Sequence, residues 1–390
     1  MEKSTNSTEH AVIKACKARI KSNPNPASGA GVVMEVYQFK GSLNEAYNAG
    51  YLYQPTNTRR ITFPKTKTHD RKINARGREV KLWTKDLQEQ SQAEQIVGRG
   101  LTLRHHGILK ALFCSENDQL SKVVLGCTRF NLTLQDWIHN YGTTAIPHGD
   151  YLSGQGKDIV RSGWTAVDHI WEKGYTCRDL DKVSSYVMDG GDIKILPFVI
   201  DLQLPENKDE QHKLVLRSQF ADMLDKHIGP LWGDPEFSEL TKMMRDQHAS
   251  TKAILGHPVL SSTSERQIMY RNADSSMAIS GHAKVLKKRV IISAGWVQNA
   301  KNADKALANF FKNGYYTADV TGALRFGRKV SCHYAENYVA VNPKTWNRVS
   351  KDRADRLLKH VLPLVLCQWY RVTNCMESYT SDLEDGSGTK

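Results

Sequence analysis

The apolar residues of this chain change their spacing once. Up to about residue 260, short β-branched and aromatic runs alternate with helical stretches; from about 264 onward strand signals fade. Beyond that point the apolar positions recur at helical intervals over residues 264–272, 300–312, 318–330 and 350–372. A mixed region and a helical region bury their apolar faces in different layer arrangements. The expected fold class is therefore an α+β region followed by an all-α module, and 390 residues are more than one core commonly serves.

Residues 1–30 hold no aromatic residue and carry Pro24 and Pro26, which reads as a tail with a short helix over 9–21. Residues 31–39, GVVMEVYQF, read as a strand. Residues 59–85 carry ten Lys or Arg against Asp70 and Glu79, are punctuated by Pro64 and Gly77, and read as loop or hairpin ending in the short strand REVKLW. A helix is expected over 86–104, with Leu87, Ala93, Ile96 and Val97 on one face, then strands over 109–114 and 122–127. Thr133, followed three residues later by Asp136, caps a further helix in LTLQDWIHN. Residues 160–174 read as a helix burying Trp164, Val167, Ile170 and Trp171, and short strands flank the turn Asp189-Gly190-Gly191. Helices are expected over 214–228 and 236–246. In the last helix Asp352, Arg356 and Lys359 form a polar face opposite Leu357, Leu358, Val361, Leu364 and Val365.

Charge is as unevenly distributed as period. The formal net charge is +13, and residues 261–375 alone hold 19 Lys or Arg against seven Asp or Glu. Such a surface concentrates a polyanion near itself, whether RNA, DNA, phosphoinositide or an acidic protein. The seven cysteines are scattered, odd in number and without a CxxC pair, which speaks against a zinc ribbon or a disulfide framework and for a reducing interior, cytoplasmic or nuclear. No run reaches 18 apolar residues, and the N-terminus lacks a signal-peptide core, so no membrane span is expected.

Several segments, in order, resemble the protein-kinase family. Val80-Lys81 looks like the strand bearing the nucleotide-binding lysine, and Glu94 stands where its helix partner would be. RHHGILKALFCSEND and KVVLGCTRFNLTLQDWI resemble the approach to the fourth and fifth strands and the hinge. GYTCRDLDKVSSYV looks like the catalytic loop and GGDIKILPFV like the strand into the metal-binding triplet. Asp179 keeps the catalytic-loop aspartate, but Ser184 replaces the metal-binding asparagine. Pro197 and Val199 replace the aspartate and glycine of the triplet around Phe198, and proline has no oxygen for a cation. The stretch that should hold the glycine-rich loop has Gly77 alone. The resemblance thus implies a bilobal kinase-like fold without kinase activity, and leaves ATP or ADP binding at Lys81 and Glu94 open.

ILGHPVLSSTSERQIMY, the segment from Gly295 to Tyr334, and VSKDRADRLLKHVLPLVLCQWYRV resemble the KEN-type ribonuclease module of the unfolded-protein-response kinase/ribonucleases and the oligoadenylate-activated ribonuclease. The implied organisation is a tail at 1–30, a kinase-like N-lobe at 31–128, a degenerate C-lobe at 129–262, a ribonuclease module at 263–376 and a tail at 377–390.

The residues carry a chemistry of their own. Metal-independent RNA cleavage needs a proton acceptor for the 2′-OH, a proton donor for the leaving 5′-oxygen, and cations for the phosphorane charge. Arg325, Arg328 and Lys329 share one broad helix face, and His333 follows just beyond the expected helix end. An imidazole's ordinary pKa of about 6.5 suits proton transfer at neutral pH. Tyr315 and Tyr316 offer hydroxyls ahead of the same helix. The family pattern assigns Tyr315 the assisting base or oxygen donor, Arg328 the phosphate and His333 the general acid. It departs at Lys329, where the family has asparagine. No cofactor is required for this reaction. The implied partners are RNA and a second copy of the chain, or a related kinase/ribonuclease. Two readings follow: an active endoribonuclease on a dead kinase scaffold, or an inactive RNA-binding regulator that dimerises with or inhibits an active relative. A kinase with unusual motifs is a third reading, opposed by Ser184, Pro197 and Val199. Trp296, Trp346 and Trp369 are expected in the core.

Overall fold

The computed structural model describes residues 58–375 apart from 64–65, 76–77, 88–89, 118–121, 129, 204–209, 278–281, 312–315, 337 and 343–344. The expected tail and strand at 1–39 lie outside the described residues. The described residues form two compact units, those up to 141 with 158–212 and 142–157 with those from 213 onward.

In the first unit β1 (Thr58–Phe63), β2 (Thr66–Ala75), β3 (Arg78–Leu87), β4 (Ala111–Asn117) and β5 (Lys122–Thr128) form one antiparallel sheet, ordered β1-β2-β3-β5-β4. The stretch read as loop or hairpin is three strands. Lysine and arginine do not break a strand, and the two residues that do, Pro64 and Gly77, fall in the connections. Helix α1 (Gln90–Thr102) precedes β4 and packs Ala93, Ile96 and Val97 against Leu109, Ala111, Leu125, Cys127, Val187 and Leu196. Thr133 caps its short helix as expected, its hydroxyl oxygen accepting from the Asp136 N–H at 3.0 Å. Helix α2 (Gly154–Glu172) buries Trp164, Val167, Ile170 and Trp171. The hairpin of β6 (Tyr186–Asp189) and β7 (Asp192–Ile195) turns through Gly190 at φ 64° and Gly191 at φ 98°, the left-handed pair a two-residue connection requires. The strands expected over 183–187 and 193–199 are displaced toward the turn, because Val183–Ser185 and Pro197–Val199 wind into 3-10 turns.

The second unit is helical around one core. Its main helices after α3 (Glu210–Met223) and α4 (Glu236–Met244) are α5 (Thr263–Ser276), α6 (His282–Arg289), α7 (Trp296–Ala303), α8 (Lys305–Phe310), α9 (Val320–His333), α10 (Lys351–Val361) and α11 (Val365–Asn374). Ser262 and Glu265 start α5 with a reciprocal capping box: the Ser262 hydroxyl accepts from the Glu265 N–H at 3.4 Å, and the Glu265 carboxylate accepts from the Ser262 N–H at 2.6 Å. Trp296, Phe310, Phe311, Tyr316 and Phe326 form an aromatic cluster, with the Phe311 and Phe326 rings stacked at 4.7 Å. Trp296 and Trp369 are core, as expected; the side chain of Trp346 lies outside the described residues.

Four expectations fail here. The single helix expected over 300–312 is two, α7 and α8, because Asp304 takes extended backbone and caps α8. The region beyond 264 is not wholly helical: β8 (Tyr338–Asn342) and β9 (Thr345–Arg348) form an antiparallel hairpin across Pro343-Lys344. Its alternating YVAV run is too short to stand out beside the helices. The single helix expected over 350–372 is two, because Pro363 cannot donate to the ladder and Leu364 takes φ 67°. Lys359, assigned to a polar face, is 8% exposed.

Helices α5 and α9 meet at Gly327, where an added Cβ would stand 2.3 Å from Cδ1 of the fully buried Tyr270. Gly327→Ala gains up to about 1 kcal/mol of helix propensity and is expected to lose more, since overpacking costs about 1–3 kcal/mol. A thermal melt at or above the wild-type midpoint would show that this seam can open.

Candidate functional site

Helix α9 presents the chemistry. Asp319 caps it, accepting from the Gly322 N–H at 3.0 Å and the Thr317 hydroxyl at 2.5 Å, with the Lys287 ammonium at 3.0 Å. Partial burial would raise this carboxyl, but those three donors hold it at about 2. Along the helix Ala323, Leu324, Phe326, Gly327, Val330 and Ser331 face the core. Arg325, Arg328, Cys332 and His333 are exposed, and Lys329 is half-buried.

The expected basic face is therefore present, with two differences. His333 is not beyond the helix but its last residue. At 3.6 residues per turn, Arg328 and His333 stand about 140° apart around the axis. They occupy opposite edges of the exposed arc, and Arg325 and Lys329 lie between them. Lys329, four residues before His333, is its neighbour on the helix surface. Lys329 thus adjoins the imidazole.

Each edge has an acidic partner that the sequence reading did not name. The Asp274 carboxylate on α5 accepts from Nη1 of Arg328 at 2.7 Å and lies 3.8 Å from Nε of Arg325. That contact holds the Arg328 guanidinium above its ordinary range. Nδ1 of His333 lies 2.8 Å from Oε1 of Glu336 in the following 3-10 turn. A carboxylate at that distance holds the imidazole ring in one orientation. The i, i+3 spacing of His333 and Glu336 was a legible signal. Asp274, 54 residues before Arg328, had none.

The two tyrosines part company. Tyr315 lies outside the described residues. Tyr316, offered as an alternative hydroxyl, is 7% exposed inside the aromatic cluster, and burial raises its pKa. It is a core residue.

In the first unit, Lys81 lies in β3 and Glu94 in α1, but their side chains lie outside the described residues. Asp179 sits at φ 60°, with its carbonyl accepting from the Ser185 hydroxyl at 2.6 Å and its carboxylate from Lys182 at 2.6 Å. Ser184 is half-buried in the neighbouring turn. Pro197 and Val199 are buried in their 3-10 turn, and Asp201 accepts from Arg178 at 2.8 Å. A magnesium–nucleotide does not fit these described residues: proline offers no oxygen, and both nearby aspartates already hold cations. Among the described residues no helix is long and apolar enough to cross a membrane.

No protein-family model matches the chain, and no curated protein matches it.

Proposed function

We propose that the chain is a metal-independent endoribonuclease whose helical module is carried by a kinase-like region that transfers no phosphate. The observation that carries this reading is the single solvent-exposed face of α9 bearing Arg325, Arg328, Lys329 and His333, with His333 oriented by Glu336. In support of the scaffold, a five-stranded antiparallel sheet has a helix between its third and fourth strands, and by the resemblance alone Pro197 takes the place of a kinase's metal ligand.

The ribose 2′-oxygen attacks the adjacent phosphorus while the bond from phosphorus to the 5′-oxygen breaks. The arginines and Lys329 take up the charge on the phosphoryl oxygens. His333, as imidazolium, gives its Nε2 proton to the departing 5′-oxygen, and the 2′ proton passes to solvent water, a transfer that Tyr315, by resemblance, assists. RNA ends as a 2′,3′-cyclic phosphate and a free 5′-hydroxyl. The kinase/ribonuclease resemblance implies that two copies, or a copy and a relative, act together.

Lys329 favours a second reading, an RNA-binding pseudoenzyme: lysine supplies charge where an amide would align the phosphate, and it adjoins His333. Incubating the purified full chain with a structured RNA in EDTA separates the two. Cleavage to cyclic-phosphate ends supports the nuclease. Salt-sensitive binding with intact RNA under every divalent-ion condition removes it and leaves the binding protein.

A further inference from the structure

Arg325 and Arg328, one turn apart on α9, converge on the two oxygens of a single carboxylate, Asp274: Nη1 of Arg328 meets Oδ2 at 2.7 Å, and Nε of Arg325 lies 3.8 Å from Oδ1. Both arginines remain more than half exposed, Arg325 at 62% and Arg328 at 54%, whereas the aspartate side chain is 11% exposed. The carboxylate is thus the fixed member of the trio. It stands on α5, which packs against α9 where Tyr270 covers Gly327 and where the Arg271 guanidinium donates to the Ser331 carbonyl at 3.0 Å.

We infer that Asp274 is a positioning residue, which holds the Arg328 guanidinium by one N–H and leaves its outward donors set for an RNA phosphate. This rests on the nuclease reading and extends it to a residue on a second helix. The physical case is one of opposing effects. A negative charge beside a phosphate site weakens binding of RNA, so a carboxylate here lowers affinity. An unrestrained arginine on an exposed helix face samples many rotamers, and misplacement of a group that must meet the transition state by about 1 Å costs on the order of a hundredfold. Asp274 takes Nη1 and Cys332, one turn on, also bonds the guanidinium, so of its five N–H donors the remainder can meet a second anion. The carboxylate gives up some RNA affinity and in return fixes the geometry at the reacting phosphate.

The two effects separate in a measurement. In Asp274→Ala, RNA affinity at low salt is expected to rise about two- to threefold, while single-turnover cleavage falls about tenfold or more. The isosteric Asp274→Asn keeps an acceptor for Arg328 without the charge, so it should raise affinity equally and lose less of the rate; it also guards against an alanine variant that fails to fold. The Nε–H signal of Arg328 in nitrogen-resolved NMR, assigned through Arg328→Lys, supplies a readout independent of cleavage. It should be ordered in the wild type and mobile in Asp274→Ala. Cleavage in Asp274→Ala at or above the wild-type rate overturns the assignment, as does an Arg328 signal that stays ordered. If the wild-type chain cleaves no RNA, the nuclease reading fails by itself. The NMR comparison still decides whether Asp274 sets Arg328, then as part of an RNA-binding face.

Discussion

His333→Ala is expected to cleave RNA about 10²- to 10⁴-fold more slowly than the wild type and to melt at the same temperature. The size of the loss is that of a general acid or base removed from a positioned transition state. The unchanged melting temperature follows from where the residue is: its side chain is 50% exposed at the end of α9, and the core-facing residues of that helix are untouched. RNA affinity should hardly move, because the proposed reading gives the phosphate contacts to Arg325, Arg328 and Lys329. A loss confined to the rate is the signature of a group that acts only in the transition state. Single-turnover cleavage in EDTA at neutral pH is the measurement, with affinity taken from the same titration. A variant that cleaves at the wild-type rate removes His333 from the chemistry. One that loses rate and affinity together makes it a binding residue.

The proposed site was partly written in the sequence because most of it lies within one helix. Arg325, Arg328, Lys329 and His333 fall within nine residues, and helical spacing alone gathers them on a face. What that spacing also dictates, the separation of Arg328 from His333 around the axis and the closeness of Lys329 to His333, needed only the helix to run one turn further than expected. Its last turn is held without a terminating glycine or proline, so nothing in the local sequence marked the end. Asp274 is of another kind: its relevance depends on α5 lying beside α9, and no local pattern encodes which helices are neighbours. The strands of the first unit went the opposite way. Ten basic residues in 59–85 made a loop seem natural, but charge density governs solvation rather than backbone conformation, and the breakers marked the true turns. Pro363 and the YVAV run were legible too. In the first case a strong apolar period on either side masked the break. In the second, a hairpin of nine strand residues was too small to register beside 14-residue helices.

The same blindness to tertiary neighbours hid the group whose loss should most damage the second unit. Arg266→Ala is expected to destabilise that unit by about 3–5 kcal/mol, the range for breaking a buried ion pair from one side. Its midpoint should fall by roughly 10 °C. Arg266 is 1% exposed and holds two carboxylates: Glu236 through Nη2 at 3.0 Å and Nη1 at 3.1 Å, and Asp355 through Nε at 3.0 Å. Tyr151 donates to the same Asp355 oxygen at 2.8 Å, and Lys359 stands 3.4 Å from Glu236 and 2.5 Å from Asp234. Residues far apart in sequence thus meet around one guanidinium.

The pH dependence distinguishes this account from simple loss of packing. Burial alone would raise both carboxyls. At Glu236 the charges of Arg266 and Lys359 more than offset burial and leave it below its usual value, whereas at Asp355 burial prevails and leaves it above. The contribution of Glu236 is therefore present above its unfolded pKa and fades as pH falls through its folded one. That of Asp355 is complete below its unfolded pKa and fades as pH rises through its folded one. In the wild type the two slopes oppose each other. Without the guanidinium, burial prevails at Asp355 still more and pulls Glu236 upward, so both favour the protonated, folded state. The Arg266→Ala penalty should then be largest near neutral pH and shrink as pH is lowered from about 7 to about 5. Adding Glu236→Gln and Asp355→Asn to Arg266→Ala, which makes both side chains permanently neutral, should recover much of the loss at neutral pH. Melts of the single and triple variants across that interval test it. A penalty independent of pH, with no recovery in the triple variant, would assign the loss to the cavity left by the arginine rather than to two carboxylates stranded without their cation.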